Sequence, residues 1–135
     1  MTLKPAVRVS RRIAEIGREA WNACAANPAY AGNPFISFDF LDIAEQAGCA
    51  VERAGWGPQH LSIEDEGGAI AAVMPLYAKS HSQGEYIFDH AWADAYERAG
   101  GRYYPKLLGA VPFTPNSRAC AYPNGPIASC CGWSR

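Results

Sequence analysis

The stretch HLSIEDEGGAIAAVMPLY, residues 60–77, constrains the fold more than any other part of the chain. Two apolar runs flank Glu64-Asp65-Glu66-Gly67-Gly68, whose glycines supply the positive φ that a tight reversal needs. The stretch therefore predicts two antiparallel strands joined by a short turn. A lone hairpin is barely stable in water, so its apolar face must pack against further strands or helices. Pro75 in the second strand has no N–H to give to the ladder, and predicts an edge, a bulge or a splaying at which a ligand gains access to the backbone.

The surrounding chain offers those partners. PAVRVS has Val7 and Val9 two apart, the spacing of a strand, and Ser10 is placed to cap a helix carrying Ile13, Ile16, Ala20 and Cys24 at helical period. Residues 27–34 read as a loop. Ser37 then caps a second helix, SFDFLDIAEQAG, with Asp39 in its first turn, Gly48 just past its end, and an expected buried stripe of Phe40, Ile43, Ala44 and Ala47. EYIFD, from Glu85, reads as a strand, and WADAYERAGG as a short helix with Trp92, Ala95, Tyr96 and Ala99 on one side. RYYPKLLGAVPFTP returns to strand character interrupted by prolines. The resulting order, β, α, α, β, β, β, α, β, is an α+β arrangement: a mixed, largely antiparallel sheet flanked by helices.

With 135 residues, 49% of them hydrophobic, the chain has room for one core and not two. Residues 1–115 are expected to form one domain. Residues 116–135 carry no apolar period and three of the five cysteines, and are read as an irregular tail, or as a stretch cut or shifted from its natural reading frame. The odd cysteine count and the absence of repeated C-x-x-C spacing fit free thiols in a reducing compartment, with Cys24 and Cys49 as packing residues. MTLKPAVRVSRR has no apolar core of a signal peptide, and the run from Ala69 to Ala78 is about half the length that spans a bilayer. A cytoplasmic protein without membrane insertion is expected. A net charge of -1 gives no basic field for nucleic acid. The basic start and the acidic run from Asp39 to Glu66 read as solvated faces.

KSHSQGEYIFDHAW, residues 79–92, gathers the residue types that move protons near neutral pH. On an extended strand Glu85 and Asp89 share a face, with His81 and His90 close in sequence, and such a group suits activation of an amine nucleophile. The competing explanations are structural: Asp89 as N-cap of the following helix, and Glu85 as a solvated edge residue. His81 and His90 lack the spacing of a metal pair, and no metal site is expected. Neither a phosphate-loop motif nor a serine-hydrolase elbow occurs. Lys79, Arg98, Arg102 and Lys106 alternate with Tyr86, Tyr96, Tyr103 and Tyr104, a combination able to grip an anionic substrate, or else tyrosines packed at a sheet edge beneath hydrated bases.

The segments NPFISFDFLDIAEQAGCA, AAVMPLYAKSHSQGEYIFDHAWADAYERAGGRYYPKL and AVPFTP, together covering most of residues 33–115, resemble the N-terminal part of the bacterial FemAB-like proteins, a branch of the GNAT-type acyltransferases tied to peptidoglycan biosynthesis. The resemblance implies an acyl-CoA N-acyltransferase fold, used twice in a longer chain, that passes an acyl or aminoacyl group to an amine. It also implies an acyl-CoA or aminoacyl donor, held by a phosphate-cradling loop beyond Pro115, so this chain alone is expected neither to bind the donor tightly nor to turn over. On chemical grounds Glu85, His81 and Asp89 are the catalytic candidates. Lys79, Tyr86, Trp92, Tyr96, Tyr103, Tyr104 and Lys106 are the candidates for binding a small-molecule amine or peptidoglycan precursor, and Lys79, His81, Glu85, Tyr86, Asp89 and Trp92 are expected to line a pocket beside the Pro75-interrupted strand. The alternative is a non-catalytic module that binds a polar cell-wall-related ligand. An open sheet edge near Val111 to Phe113 is expected to pair with another chain.

Overall fold

The computed structural model describes residues 6–26, 33–83 and 89–114. The chain runs β1 (Ala6–Ser10), α1 (Arg18–Ala25), α2 (Phe38–Gln46), β2 (Trp56–Pro58), β3 (His60–Glu64), β4 (Ile70–Met74), β5 (Tyr77–Lys79), α3 (His90–Arg98) and β6 (Lys106–Leu108). Among the described residues the sheet expected as one is two, β1-β3-β4 and β2-β5-β6, with every pair antiparallel. This is an α+β fold. Residues 85–88 of the strand expected at EYIFD and the tail 116–135 lie outside the described residues.

The hairpin forms as its sequence dictates. Asp65 Oδ1 accepts the N–H groups of Gly67 (2.8 Å) and Ala69 (2.9 Å), an Asx turn that closes β3 onto β4. One ribbon links both sheets, because Leu61↔Met74 in the first and Pro58↔Tyr77 in the second keep the same register. Between them Gln59 N–H donates to the Leu76 carbonyl at 2.8 Å. The splaying expected at Pro75 is filled from within the chain. His60 Nδ1 lies 3.4 Å from the Leu76 N–H as its acceptor, so a side chain takes over where the ladder lapses.

The helix expected after Ser10 is broken in two. Ile13–Glu15 make a single tight turn, and α1 begins only after Gly17, whose φ of +92° no helical residue adopts. Ser10 is a buried strand residue and not a cap. α2 starts where expected, with Ser37 Oγ accepting the Phe40 N–H at 3.3 Å, and Gly48 follows its C-cap residue Ala47. Its buried face, however, is Phe38 and Leu41, while Ile43 is 64% exposed. The expected stripe was rotated because Phe38, the first helical residue, is drawn inward: its N–H donates to Asn22 Oδ1 of α1 at 3.0 Å.

Two apolar clusters result. The larger joins Ile13, Trp21, Cys24, Ile36, Phe38, Leu41, Val73 and Val111, and the smaller joins Ala50, Trp56 and Tyr77. Trp21 donates its indole N–H to the Ile36 carbonyl at 2.9 Å, so the ring is buried without an unpaid donor. Cys24 is a packing residue as expected, and burial pushes its thiol pKa up, whereas Cys49 is exposed. Val111 and Pro112 are buried and stand outside the described strands; among the described residues β6 is an edge strand of its sheet, with Leu107 68% exposed.

Candidate functional site

Two groups of buried polar side chains stand out, and only one of them falls in the region singled out by sequence. His60 is fully buried and joins the two apolar clusters, its ring edge-on to Trp21 (5.8 Å) and to Tyr77 (5.1 Å). Its Nε2 lies 2.7 Å from Glu45 Oε1, and both Glu45 oxygens lie 3.2 Å from the Ile13 N–H. With Nδ1 accepting from Leu76, the neutral ring carries its proton on Nε2 and donates it to Glu45. Tyr77 Oη is buried beside this pair and has no hydrogen-bond partner among the described residues. Burial, reinforced by the Glu45 charge, pushes its pKa well above the usual phenol range. Sequence reasoning missed this group, since residues 45 and 60 lie on different elements. The one available signal was a histidine opposite Pro75 in the hairpin register.

The second group lies where β5, β6 and the start of α3 meet. Asp89 Oδ2 is 2.5 Å from Lys106 Nζ and accepts the Tyr103 hydroxyl at 2.6 Å. Lys106 also donates to Ser82 Oγ at 2.9 Å, and Ser82 shares a 2.7 Å hydrogen bond with the Tyr104 hydroxyl. Asp89 occupies the N-cap position of α3, yet its side chain caps nothing. The carboxylate is committed to the network, which overrides the capping explanation. Burial by itself would raise the Asp89 pKa, but the hydrogen bonds from Lys106, Ser82 and Tyr103 and the Lys106 charge outweigh it and hold the carboxyl well below the usual range. The same contact raises the Tyr103 pKa. Asp89 Oδ1 is buried and unpartnered among the described residues. An ionised carboxylate with an unspent, desolvated oxygen is a ready acceptor for a cationic donor.

The remaining sequence candidates divide. Lys79 is fully buried, with Nζ 3.7 Å from the centroid of its cross-strand neighbour Trp56 and 3.3 Å from the Gln83 carbonyl it donates to. It braces the strand ends and does not reach outward. His81 packs its ring against Gly55, where an added Cβ would overlap it, and its Nδ1 accepts the Gln83 N–H at 3.2 Å. Tyr103, Tyr104 and Lys106 sit in the network as described. Trp92 and Tyr96 do not line an enclosed pocket: they are 75% and 54% exposed, and Ala93 alone among α3 residues is buried. Glu85 and Tyr86 lie outside the described residues. Ser82 had no motif to announce it, being one small polar residue among several.

Tyr104 also lines an open cleft of about 960 Å³, whose walls include Arg11, Arg12, Asp42, Glu45 and Glu52. The cleft thus touches both buried polar groups, at Tyr104 and at Glu45. The donor implied by the resemblance would need free backbone N–H groups at a helix start to hold its phosphates. The described helix starts do not fit that need. α1 carries Glu19 in its first turn, α2 has Asp39 and spends N–H groups on Ser37 and Asn22, and α3 begins at the anionic Asp89. Among the described residues no three His, Cys, Asp or Glu side chains form a metal-binding group. No described helix is long and apolar enough to cross a membrane.

A family model, FemAB-like, described as peptidoglycan biosynthesis/recognition, matches residues 12–120, beginning well before the Asn33 at which the sequence resemblance starts. Neither a curated protein nor a solved structure matches the chain.

Proposed function

The chain belongs to the FemAB-like family of peptidoglycan biosynthesis and recognition, and from that premise we propose that it supplies the amine-acceptor side of an N-acyl or aminoacyl transfer in cytoplasmic peptidoglycan-precursor metabolism. The observation that carries the reading is Asp89. Its carboxylate is kept ionised by Lys106, Tyr103 and Ser82, and presents a buried oxygen with no partner among the described residues. An acceptor amine arrives as an ammonium at neutral pH, and it pairs with this oxygen when the start of α3 moves to uncover it.

In the transfer, the ammonium loses a proton, its nitrogen attacks the donor carbonyl carbon, a C–N bond forms, and the thiol or ester oxygen of the donor leaves with a proton. Asp89 is suited to holding the cation and not to removing its proton, because a carboxyl held far below neutrality is a weak base. His81 has its acceptor nitrogen engaged by Gln83. Glu85 is therefore the proposed base, with Tyr86 beside it in sequence. The described helix starts do not cradle a phosphate, so no step is routed through that part of the donor.

The alternative reading is a module that binds a polar cell-wall ligand without turning it over. The two separate in one experiment. The protein is incubated with an alanyl-glutamyl-lysine stem tripeptide and acetyl-CoA, binding is followed by calorimetry, and the tripeptide is weighed by mass spectrometry. Transfer predicts an acetyl group on the lysine amine that disappears in Glu85→Gln. Because the donor's cradle is expected beyond Pro115, the acceptor reading is judged on the tripeptide heat: its loss in Asp89→Asn supports the reading, and heat unchanged in that variant contradicts it.

A further inference from the structure

The sheet β1-β3-β4 has one face packed and the other largely open. On the packed face Ser10, His60, Ser62 and Val73 are buried, and Trp21 and Cys24 of α1 share a cluster with Val73. Side chains alternate along a strand, so the registers Val7↔Ile63↔Ala72 and Val9↔Leu61↔Met74 put six apolar side chains on the opposite face with no polar one among them. Gly109 packs against the Met74 methyl and closes the β4 side. The β1 side stays open: Val7 and Val9 are 61% and 57% exposed, and Leu61 and Ile63 are half-buried.

Strand direction sorts the charge around this face. β1 begins opposite Glu64, next to the turn that carries Asp65 and Glu66, and ends at Ser10, after which Arg11 and Arg12 leave the sheet. Those two acids and two bases are exposed, and the ends they occupy are about 17 Å apart, the length of a five-residue strand. Glu64 is already paired with Arg8 at 2.8 Å. Glu66 and the Arg11 and Arg12 guanidinium groups, which also border the cleft, have no ion-pair partner among the described residues. Glu15, close in sequence, accepts the Arg11 backbone N–H and not its side chain. An apolar face that is acidic at one end and basic at the other is complementary to itself when turned end for end.

We propose that a second copy of the chain docks on this face. The two sheets stack across a two-fold axis perpendicular to their strands, so that Asp65 and Glu66 of each copy stand over Arg11 and Arg12 of the other while Val7, Val9, Leu61 and Ile63 meet their counterparts. A net charge of -1 sets up little repulsion between copies. An anionic lipid surface would gain from the valines but meet the acidic turn at one end. A single apolar helix would cover the valines and leave both charged ends unmatched. The face, about 17 Å by about 10 Å, is smaller than the roughly 800 Å² per partner of a stable complex, so the dimer dissociates in the micromolar range. This pairing is independent of the transfer reading.

Sedimentation velocity of the full chain, from low to high micromolar concentration, tests it through a charge exchange. The parent is expected to pass from monomer to dimer. Glu66→Arg alone and Arg11→Glu alone should each weaken association by about tenfold, because each sets like charges together at both ends of the dimer. An equimolar mixture of the two variants should associate as the parent does, since both ends then carry opposite charges again. The chain with Val7→Thr and Val9→Thr, which keeps β-branched side chains and so the strand, should also lose about tenfold. A parent that stays monomeric throughout overturns the proposal, and so does a mixture that associates no better than its components. Association unchanged in the threonine variant places self-contact on another surface and overturns it equally, as does a monomeric parent that binds phospholipid vesicles through the two valines.

Discussion

Lys106 Nζ stands 2.5 Å from an Asp89 carboxylate that occupies the N-cap position of α3 and caps nothing there. A helix start gives up the usual service of its aspartate so that β6 and α3 are tied through a charged hydrogen bond. The pair is only partly open to water, at 18% and 11% side-chain exposure. Lys106→Ala leaves a mostly buried anion without its main counter-charge and is expected to cost about 3 kcal/mol. Urea denaturation of the variant beside the parent checks it, and a midpoint unchanged at equal slope would show the pair to be ornamental.

The acid limb of stability follows from the same carboxylate. Its folded pKa lies below its unfolded value, so the stabilisation is complete at neutral pH, present above the ordinary carboxylate range of about 4, and lost as pH falls through the folded value. Asp89→Asn should flatten the pH dependence of stability below that range relative to the parent. Parallel curves for the two proteins would place the acid sensitivity elsewhere.

Glu45 and His60 make a separate test of the fold. Glu45→Ala strips the acceptor from two buried donors, the Ile13 N–H and the His60 ring, while Glu45→Gln keeps an oxygen in place. The alanine variant is expected to lose about 3 kcal/mol and the glutamine variant clearly less. Thermal melts of the two order them directly.

Gly55 has φ of +77° and lies under the His81 ring. Gly55→Ala should therefore cost about 1–3 kcal/mol through backbone strain and also displace His81. The displacement reads out as a shifted His81 ring resonance in NMR, beyond what a melt reports.

How far the sequence revealed this structure depended on how local the cause was. The hairpin was legible because Asp65 and the glycines after it close the turn with their own hydrogen bonds, and α2 began on time because Ser37 caps it three residues away. α1 was overextended because hydrophobic spacing from Ile13 to Cys24 runs straight through Gly17, whose backbone breaks the helix. The α2 stripe was rotated because Asn22, on another helix, pulls Phe38 inward. Asp89, Tyr103, Tyr104 and Lys106 were all among the sequence candidates, but their joining through Ser82 and the conversion of Asp89 from cap to anchor required the meeting of β6 with α3. Lys79 looked like a surface base and is buried on Trp56, a contact made by strand pairing that a linear reading does not display.

The central claim is that Asp89 is an ionised receptor for an acceptor amine. Calorimetric titration of the alanyl-glutamyl-lysine tripeptide against its lysine-acetylated form, into the parent and into Asp89→Asn, tests it directly. Binding by the parent should weaken about tenfold on acetylation, as loss of a charge-assisted hydrogen bond implies, and Asp89→Asn should no longer tell the two forms apart. Equal affinity of the parent for both tripeptides would contradict the account.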